Sequence, residues 1–442
     1  MPGKVHNRQM PITRQDREIL RLAIPAFGAL VAEPLFLLAD YAIVGHGLGT
    51  VAVGALGVAG TVLTTLVNLC VFLAYGTTAS VARRTGAGDH ARAMRDGVDG
   101  IWLALAIGLA LVALGWPLAP AVVDLFGASP EQAGEAVTYL RVSLIGAPGM
   151  LVVLAGTGVL RGLQDTVTPL VVAVGSFALN AALNAWFVLV LGWGIAGSAW
   201  GTVLAQTLGA IVYVAVVVRG ARRLGTPLSP DVAGVRRAGT AGFALLVRTV
   251  CLRIVLLVAV VIATRMGEAQ LAAYAIATQV WTLLAFALDA IAIAGQAITG
   301  CTLGAGDAVA TREATGRMVR WGVWSGVLLG VLVLAGRPLL PGLFDADPQV
   351  TEQLLAVLWP VALFQPICGV VFVLDGVLIG AGDQRYLAWA GVWTTLAYLP
   401  AAFVAADFGI VALWCALGVW MVARLITLGR RAAGTAWLVT GA

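Results

Sequence analysis

The chain has 442 residues, of which 60% are hydrophobic and only 11% are charged, whereas soluble globular domains carry about 25% charged residues. This composition excludes an ordinary soluble protein and indicates an integral membrane protein. The formal charge of +5 comes from 27 basic and 22 acidic residues. Because the basic residues are dispersed over short loops without interleaved aromatics, we expect no nucleic-acid partner.

Twelve apolar stretches are each long enough to cross a bilayer as a helix, which takes about 20 residues. They show no alternation of period two, which favours helices over the strands of a barrel. A polar, basic segment without a cleavage site precedes the first stretch, so we expect that stretch to be kept as a span. The predicted spans are 20–44, 50–82, 98–123, 136–160, 167–191, 195–218, 239–264, 269–302, 318–342, 352–379, 386–405 and 409–428.

The loops differ in charge on the two sides of the predicted membrane protein. Most of the basic residues fall in the N-terminal tail and in the loops after even-numbered spans, such as Arg83 and Arg222, whereas the other loops carry Asp124 and Glu131. Lys and Arg accumulate in cytoplasmic loops. We therefore expect a multi-pass protein of the plasma (inner) membrane with both termini in the cytoplasm.

A sequence repeat divides the chain into two halves. The segment GAGD at Gly86 recurs at Gly304, and GVLRGLQD at Gly158 recurs as GVLIGAGD at Gly376, both at an offset of 218 residues. Six spans per half is an even number, so the halves enter the membrane from the same side as parallel repeats. The prediction is an all-α integral membrane protein with two six-helix lobes, 1–218 and 239–442, joined by a linker at 219–238.

Duplicated bundles of this kind suit alternating access, in which two lobes rock about a site between them. The alternative is that the duplication only enlarged a bundle, because a fold does not by itself fix a function.

The first span contains two carboxylates, Glu33 and Asp40. Seven residues place both on one face of a helix, about 10 Å apart along its axis. Charges inside a span cost about 2.5–3.5 kcal/mol, which marks them as functional candidates. A carboxyl group in low dielectric favours its neutral form, so Asp40 is predicted to take up and release a proton; the alternative is a protonated carboxyl that serves packing.

Other polar groups occur in the spans of the first half. Pro25 and Pro34 each remove a backbone donor from the first helix and allow it to bend. Asn180 and Asn184 form an i, i+4 pair in the fifth span, and Thr202 lies in the sixth. Such amides and hydroxyls either bind a proton-bearing carboxyl, a cation or a substrate, or hold helices together.

The second half has four charges inside predicted spans, namely Arg248, Arg253, Asp289 and Asp375. Arginine and aspartate can neutralise each other inside a bundle, so the alternative role of Asp289 is that of an ion-pair partner. The loop residues Asp89 and Asp307 stand beside glycines and are predicted to form turns and helix caps.

Neither metal nor catalytic chemistry is indicated. The five cysteines show no CxxC pair, and the three histidines have no ligand spacing, so we expect no disulfide framework, metal or cofactor. The outer loops are short, which argues against a membrane-embedded transferase. We therefore expect that the chain is not an enzyme.

Several ordered motifs resemble the multidrug and toxic compound extrusion (MATE) family, across almost the whole chain. They are LADYAIVGHGLG, RRTGAGD, YLRVSLIGAPG, GVLRGLQDTVTP, LNAALNAWFVLVLGWGIAGSAWGT and LDAIAIAGQAITGCTLGAGD. With RTVCLRIVL in the seventh span and an aspartate in the first, the chain resembles most the DinF-like (DNA-damage-inducible F) branch.

The resemblance implies a V-shaped pair of lobes that exports organic, often cationic and amphipathic compounds in exchange for H+ or Na+. It places the coupling-ion pocket in the N-terminal lobe, with Pro25 at the bend of the first helix. The implied pocket residues are Asp40, Tyr139, Asn180, Asn184 and Thr202, with Glu33 facing them. The family pattern commonly has an aspartate where this chain has Asn184, which favours Asp40 as the principal site and H+ over Na+.

Two other transport functions remain as alternatives. One is a Na+-coupled drug exporter, and the other is a lipid-linked oligosaccharide flippase of related architecture. A flippase would need a cationic central cavity, for which Arg248 and Arg253 are the candidates. For either function we expect a monomer in the lipid bilayer with a small organic substrate.

Overall fold

The computed structural model describes residues 14–344 and 346–441, with Arg14 described by its backbone alone. The part of the N-terminal tail on which the orientation prediction partly rests, residues 1–13, lies outside the described residues. The described chain is built from α-helices and one π-helical turn, Trp186–Val190. The helices are α1 (Arg14–Leu48), α2 (Thr50–Leu69), α3 (Phe72–Gly86), α4 (His90–Asp124), α5 (Pro130–Ile145), α6 (Ala147–Gly162), α7 (Val167–Ala185), α8 (Gly194–Arg223), α9 (Val232–Met266), α10 (Glu268–Gly304), α11 (Ala308–Gly336), α12 (Leu340–Leu343), α13 (Pro348–Leu363), α14 (Gln365–Gly380), α15 (Gln384–Ala405) and α16 (Ile410–Ala433).

The described helices account for the twelve predicted spans. Ten of these helical segments are long and apolar enough to cross a bilayer, with α2 and α3 counted as one, and two pairs bent by 50°, α5 with α6 and α13 with α14, each supply one more. Large apolar side chains such as Leu257, Trp324 and Trp389 are exposed. Exposed apolar surface on this scale is unfavourable in water and is expected on a lipid-facing surface.

The helices extend beyond the predicted spans. The segment predicted as the linker, 219–238, is helical at both ends, because α8 continues to Arg223 and α9 begins at Val232. Hydropathy marks only the apolar middle of a helix, whereas a helix can continue into water since its backbone bonds are internal. The non-helical linker is residues 224–231.

The sequence repeat is visible in the helix boundaries. The helices α5 and α13 begin at Pro130 and Pro348, and α4 and α11 begin directly after Asp89 and Asp307, again 218 residues apart. Each aspartate accepts a hydrogen bond from a backbone N–H in the first turn of its helix, which confirms the predicted caps.

The two lobes pack against each other at one end of the bundle. We call this end the basic face and define it by the loops 87–89, 163–166, 224–231, 305–307 and 381–383. There α3 crosses α10 at Gly86 and Gly304, where a Cβ on either residue would collide with the backbone of the other helix. The glycines of the repeated GAGD motif thus permit the close approach of the lobes.

The hydrophobic cores separate toward the opposite face. One core cluster joins the start of α1, at Ile19 and Leu22, to residues of the second lobe such as Leu288 and Leu378. The cluster around Val44, near the end of α1, contains none of the described residues of the second lobe. The lobes are therefore packed together at the basic face and diverge away from it.

Candidate functional site

Asp40 lies at the centre of a buried polar cluster between α1, α5, α7 and α8. Its side chain accepts hydrogen bonds from the Tyr139 hydroxyl (3.5 Å), the Ser198 hydroxyl (3.2 Å) and the Asn184 Nδ2. Asp40 itself is 3% exposed. Within the described chain, none of the ion pairs includes it, so its hydrogen-bonding partners are neutral.

Two further predicted residues complete this group. The Asn180 Nδ2 donates to the Thr202 hydroxyl at 2.9 Å, and that hydroxyl donates to the Ser198 carbonyl at 3.3 Å. The structure thus brings together the predicted pocket residues apart from Glu33. We call the group the Asp40 cluster: Asp40, Tyr139, Asn180, Asn184, Ser198 and Thr202.

Ser198 was missed by the sequence reasoning. It lies in the segment GIAGSAWG of α8, where a serine among small residues is typical of close helix packing. Its position four residues before Thr202 was a usable signal, because residues at i and i+4 share one helix face.

The Asp40 cluster contains oxygen atoms without hydrogen-bond partners. Among the described residues, the Oδ1 atoms of Asn180 and Asn184 and the Oγ of the neighbouring Ser143 are buried and unpaired. Buried polar atoms are normally paired, so unpaired ones need an explanation. Here the free acceptors can receive a proton donor or contribute to binding a cation.

Local structure fixes α1 against α7 beside this cluster. Phe36 of α1 stacks on Phe177 of α7, with ring centroids 5.0 Å apart. The π-helical turn begins two residues after Asn184, and such turns are frequent at functional sites. The stacked rings hold the face of α1 that carries Asp40 toward the amides of α7.

The other predicted residues of the first helix lie apart from the cluster. Glu33 is exposed and makes no hydrogen bond or ion pair with the described residues, although surrounding protein encloses it. This environment is that of a carboxylate on the wall of a cavity. Pro25 and Pro34 lie inside α1, which is one uninterrupted helix in this conformation.

The second lobe holds its buried carboxylate in a different way. Asp375 of α14 is bound by Arg248 of α9, through Nε at 3.1 Å and through Nη2. Arg424 of α16 donates to the same carboxylate at 3.2 Å. All three side chains are buried. We call this group the Asp375 cluster.

The predictions for the other charges of the second lobe need correction. Asp289, the candidate ion-pair partner, forms no ion pair within the described chain, and Arg161 and Arg248 act on it only through space. The guanidinium of Arg248 is committed to Asp375 instead. Arg253 is exposed, because five residues rotate it about 140° around the helix from Arg248.

Comparisons with known proteins agree with this architecture. The MatE family model matches residues 25–186 and 244–404. The chain is 31% identical to Protein DETOXIFICATION 44, chloroplastic, of Arabidopsis thaliana over 96% of this chain and 84% of that protein. It is 28% identical to DNA damage-inducible protein F of Escherichia coli (strain K12) over 94% of this chain and 92% of that protein.

A solved structure shares the fold along the full length. It is an outward-facing conformation of a multidrug resistance MATE family transporter of the MOP superfamily, with a TM-score of 0.86 and 21% identity. The alignment covers 98% of this chain and 99% of that one. The chain therefore belongs to the MatE family of multidrug and toxic compound transporters.

Proposed function

We propose that the chain is an antiporter that exports organic, often cationic and amphipathic compounds in exchange for H+. Transport proceeds by alternating access, and protonation of Asp40 is the coupling step. The observation that carries this proposal is the neutral surrounding of a buried carboxylate: Asp40 is held by an amide and two hydroxyls. Only a proton or a bound cation can neutralise a carboxylate in that setting.

Protonation changes the hydrogen bonds that Asp40 can make. An ionised carboxylate only accepts, whereas a protonated one must also donate. The unpaired Oδ1 of Asn184 becomes the acceptor when the amide rotates. Because Asn184 lies on α7 and Asp40 on α1, this exchange of donor and acceptor alters the contact between the two helices.

The first helix is suited to respond to that change. Pro25 and Pro34 leave α1 without two of its internal backbone hydrogen bonds, so bending there costs less than elsewhere. Coupling requires that substrate and proton favour different states of the lobe. We propose that the two ligands compete for the N-terminal lobe, so that proton binding at Asp40 releases substrate outward.

The proposed orientation places the basic face in the cytoplasm, in the plasma (inner) membrane, with both termini on that side. The lobes pack together at the basic face, so this conformation is proposed to be open to the outside. A monomer contains both lobes and the whole pathway, and it is the proposed functional unit. The proposed cycle involves neither a metal nor a cofactor, and the coupling ion is H+.

Na+ coupling is the second candidate, supported by the free oxygens of Asn180 and Asn184 beside Asp40, since hard cations prefer oxygen ligands. The flippase alternative finds less support. Of its two candidate cations, Arg248 is neutralised by Asp375, and Arg253 lies on another face of α9.

The test is efflux of a fluorescent organic cation, ethidium, from liposomes that contain the purified protein. A pH gradient and a Na+ gradient are imposed separately, on the wild type and on Asp40→Asn. We expect efflux driven by the pH gradient and its loss in the variant. Efflux driven by the Na+ gradient alone would replace H+ by Na+ in the scheme.

The matched control is Asp89→Asn, which makes the same chemical change at the cap of α4, where asparagine is also a good cap. We expect its efflux to equal that of the wild type. Undiminished pH-driven efflux in Asp40→Asn would remove Asp40 from the coupling step.

A further inference from the structure

The lobes meet at the basic face in two junctions that the sequence repeat relates to each other. In one, the start of α1 packs against α11, and in the other, the start of α9 packs against α4. The offset of 218 residues pairs Asp16 of the first junction with Gly234 of the second, and pairs Arg317 with Asp99. The two junctions occupy equivalent positions but carry different side chains.

Charged groups close the junction between α1 and α11. The Asp16 carboxylate accepts hydrogen bonds from Arg317, at 2.7 Å from Nε and also from Nη2, and from the Trp321 indole at 2.9 Å. Asp16 is buried, and two-pronged arginine–carboxylate contacts are strong and geometrically specific. We call Asp16, Arg317 and Trp321 the latch.

The chain itself closes the junction between α4 and α9. The linker 224–231 connects the lobes at this point and lies against α4, where Arg95 Nη1 donates to the Pro227 carbonyl at 2.9 Å. Asp99 of α4 accepts the backbone N–H of Asp231, directly before α9, at 2.9 Å. The start of α9 is therefore tethered to the first lobe, whereas the start of α1 is held to the second lobe by side chains.

The tethered junction is also loosely packed. A cavity of about 270 Å³ lies between α3, α4 and α9. Leu103 stands there in place of Trp321, and Gly234 in place of Asp16. The Oδ2 atom of Asp99 is buried without a hydrogen-bond partner among the described residues. Well-packed interiors resist movement, so the cavity and the glycine leave room for α9 to tilt against α4.

We propose that the latch is the cytoplasmic gate of this transporter and that the linker junction between α4 and α9 is its hinge. The proposal rests on the alternating-access function proposed above. When Asp16 parts from Arg317, the second lobe tilts about the linker, and the entrance from the cytoplasm opens between α1 and α11.

A further contact between the lobes must break in the same movement. Arg83 of α3 donates to the carbonyl oxygens of Ala381, at 3.0 Å, and Gly441, at 3.2 Å. These acceptors are neutral, and hydrogen bonds between a charged and a neutral group are weaker than those between two charged groups. The latch is thus the stronger of the two polar contacts that opening breaks.

The test crosslinks the two equivalent junctions in turn. One variant carries Asp16→Cys with Arg317→Cys, and its matched counterpart carries Gly234→Cys with Asp99→Cys, both in a chain whose five native cysteines are replaced. A Cβ on residue 234 would lie 2.9 Å from the Asp99 Cγ, which suits a thiol bridge. A short bifunctional thiosulfonate links either pair, and a reductant reverses the link.

Ethidium efflux is measured before linking, after linking and after reduction. We expect linking of 16 to 317 to reduce efflux at least tenfold, with recovery on reduction, and linking of 99 to 234 to change it less than twofold. The reverse pattern, or an equal loss in both variants, would overturn the proposal. If no reduced variant and no wild type transports, the proposed function fails instead.

A second measurement does not depend on transport. Cys301 lies where α3 crosses α10 at the basic face and is half-buried. With Cys301 as the single cysteine, we expect Asp16→Asn to raise several-fold its rate of labelling by a membrane-impermeant maleimide applied from the basic face, and Asp99→Asn to leave that rate unchanged. An unchanged rate in Asp16→Asn would overturn the gate assignment.

Discussion

The two lobes each bury an aspartate among helices, but they neutralise it in opposite ways. Asp40 is surrounded by hydroxyls and amides, whereas Asp375 is bound by two arginines. A carboxylate between two guanidinium groups is stabilised in its ionised form. A carboxylate among neutral donors has no such fixed counter-charge, so it can exchange a proton. The comparison assigns structure to the second lobe and coupling to the first.

The repeat shows that the Asp40 cluster belongs to one lobe only. At an offset of 218 residues, Val258 stands where the first lobe has Asp40, and the buried Val357 stands where it has Tyr139. Likewise Leu30 stands where the second lobe has Arg248. The helices were kept in both halves while the polar groups diverged, which indicates that the fold does not require them.

The largest predicted effect is a loss of stability on changing Asp375. Asp375→Asn leaves Arg248 and Arg424 buried without a counter-charge, which costs about 3–5 kcal/mol. We expect a marked fall in the thermal unfolding midpoint of the purified protein in detergent. Asp40→Asn is the matched variant, and its midpoint should stay close to wild type because no buried cation loses a partner. Equal loss in both variants would erase the distinction between the clusters.

The next effect concerns transport through Asn184. Asn184→Ala removes the amide partner of Asp40, and hydrogen bonds to charged groups contribute about 1.5–3 kcal/mol, so pH-driven efflux should fall at least tenfold. Asn68→Ala, in α2 and outside the Asp40 cluster, is the control and should transport normally. If Asn184→Ala matches its control, the amide has no part in coupling.

A smaller effect is expected from Ser198. Ser198→Ala removes one of the two hydroxyl donors to Asp40, worth about 1 kcal/mol, so the initial efflux rate should fall about fivefold. Ser176→Ala in α7 makes the same change away from Asp40 and should have no effect. A silent Ser198→Ala would mean that Tyr139 and Asn184 suffice to hold the carboxylate.

The smallest effect is expected at Arg253. This side chain is exposed and unpaired within the described chain, so Arg253→Ala should change stability by less than about 0.5 kcal/mol and leave efflux unchanged. A variant that loses efflux would place Arg253 on the transport pathway and would favour a phosphate-bearing substrate.

Hydropathy and the repeat were sufficient to predict the architecture. The lengths of the apolar stretches give the twelve spans, and the recurrence of GAGD gives the two lobes. The bends of α5 with α6 and of α13 with α14 were not predicted, although Pro148 and Pro366 mark both. A proline near the start of a helix fits an unbroken helix as well as a new one.

The site was predicted less completely, because contacts between distant spans leave no local pattern. Asp40, Asn180, Asn184 and Thr202 stood out as polar residues inside apolar stretches. Ser198 did not, since serine is common in packed membrane helices. Arg424 was assigned to the basic end of its span, but its long side chain reaches back to Asp375, as arginine side chains near helix ends can.

The most direct test of the central claim is proton release on substrate binding, followed with a pH indicator in weakly buffered detergent solution. If ethidium and a proton compete through Asp40, wild-type protein should release about one proton for each ethidium bound, and Asp40→Asn should bind ethidium with no release. Equal proton release by the wild type and Asp40→Asn would contradict the claim that Asp40 couples transport to H+.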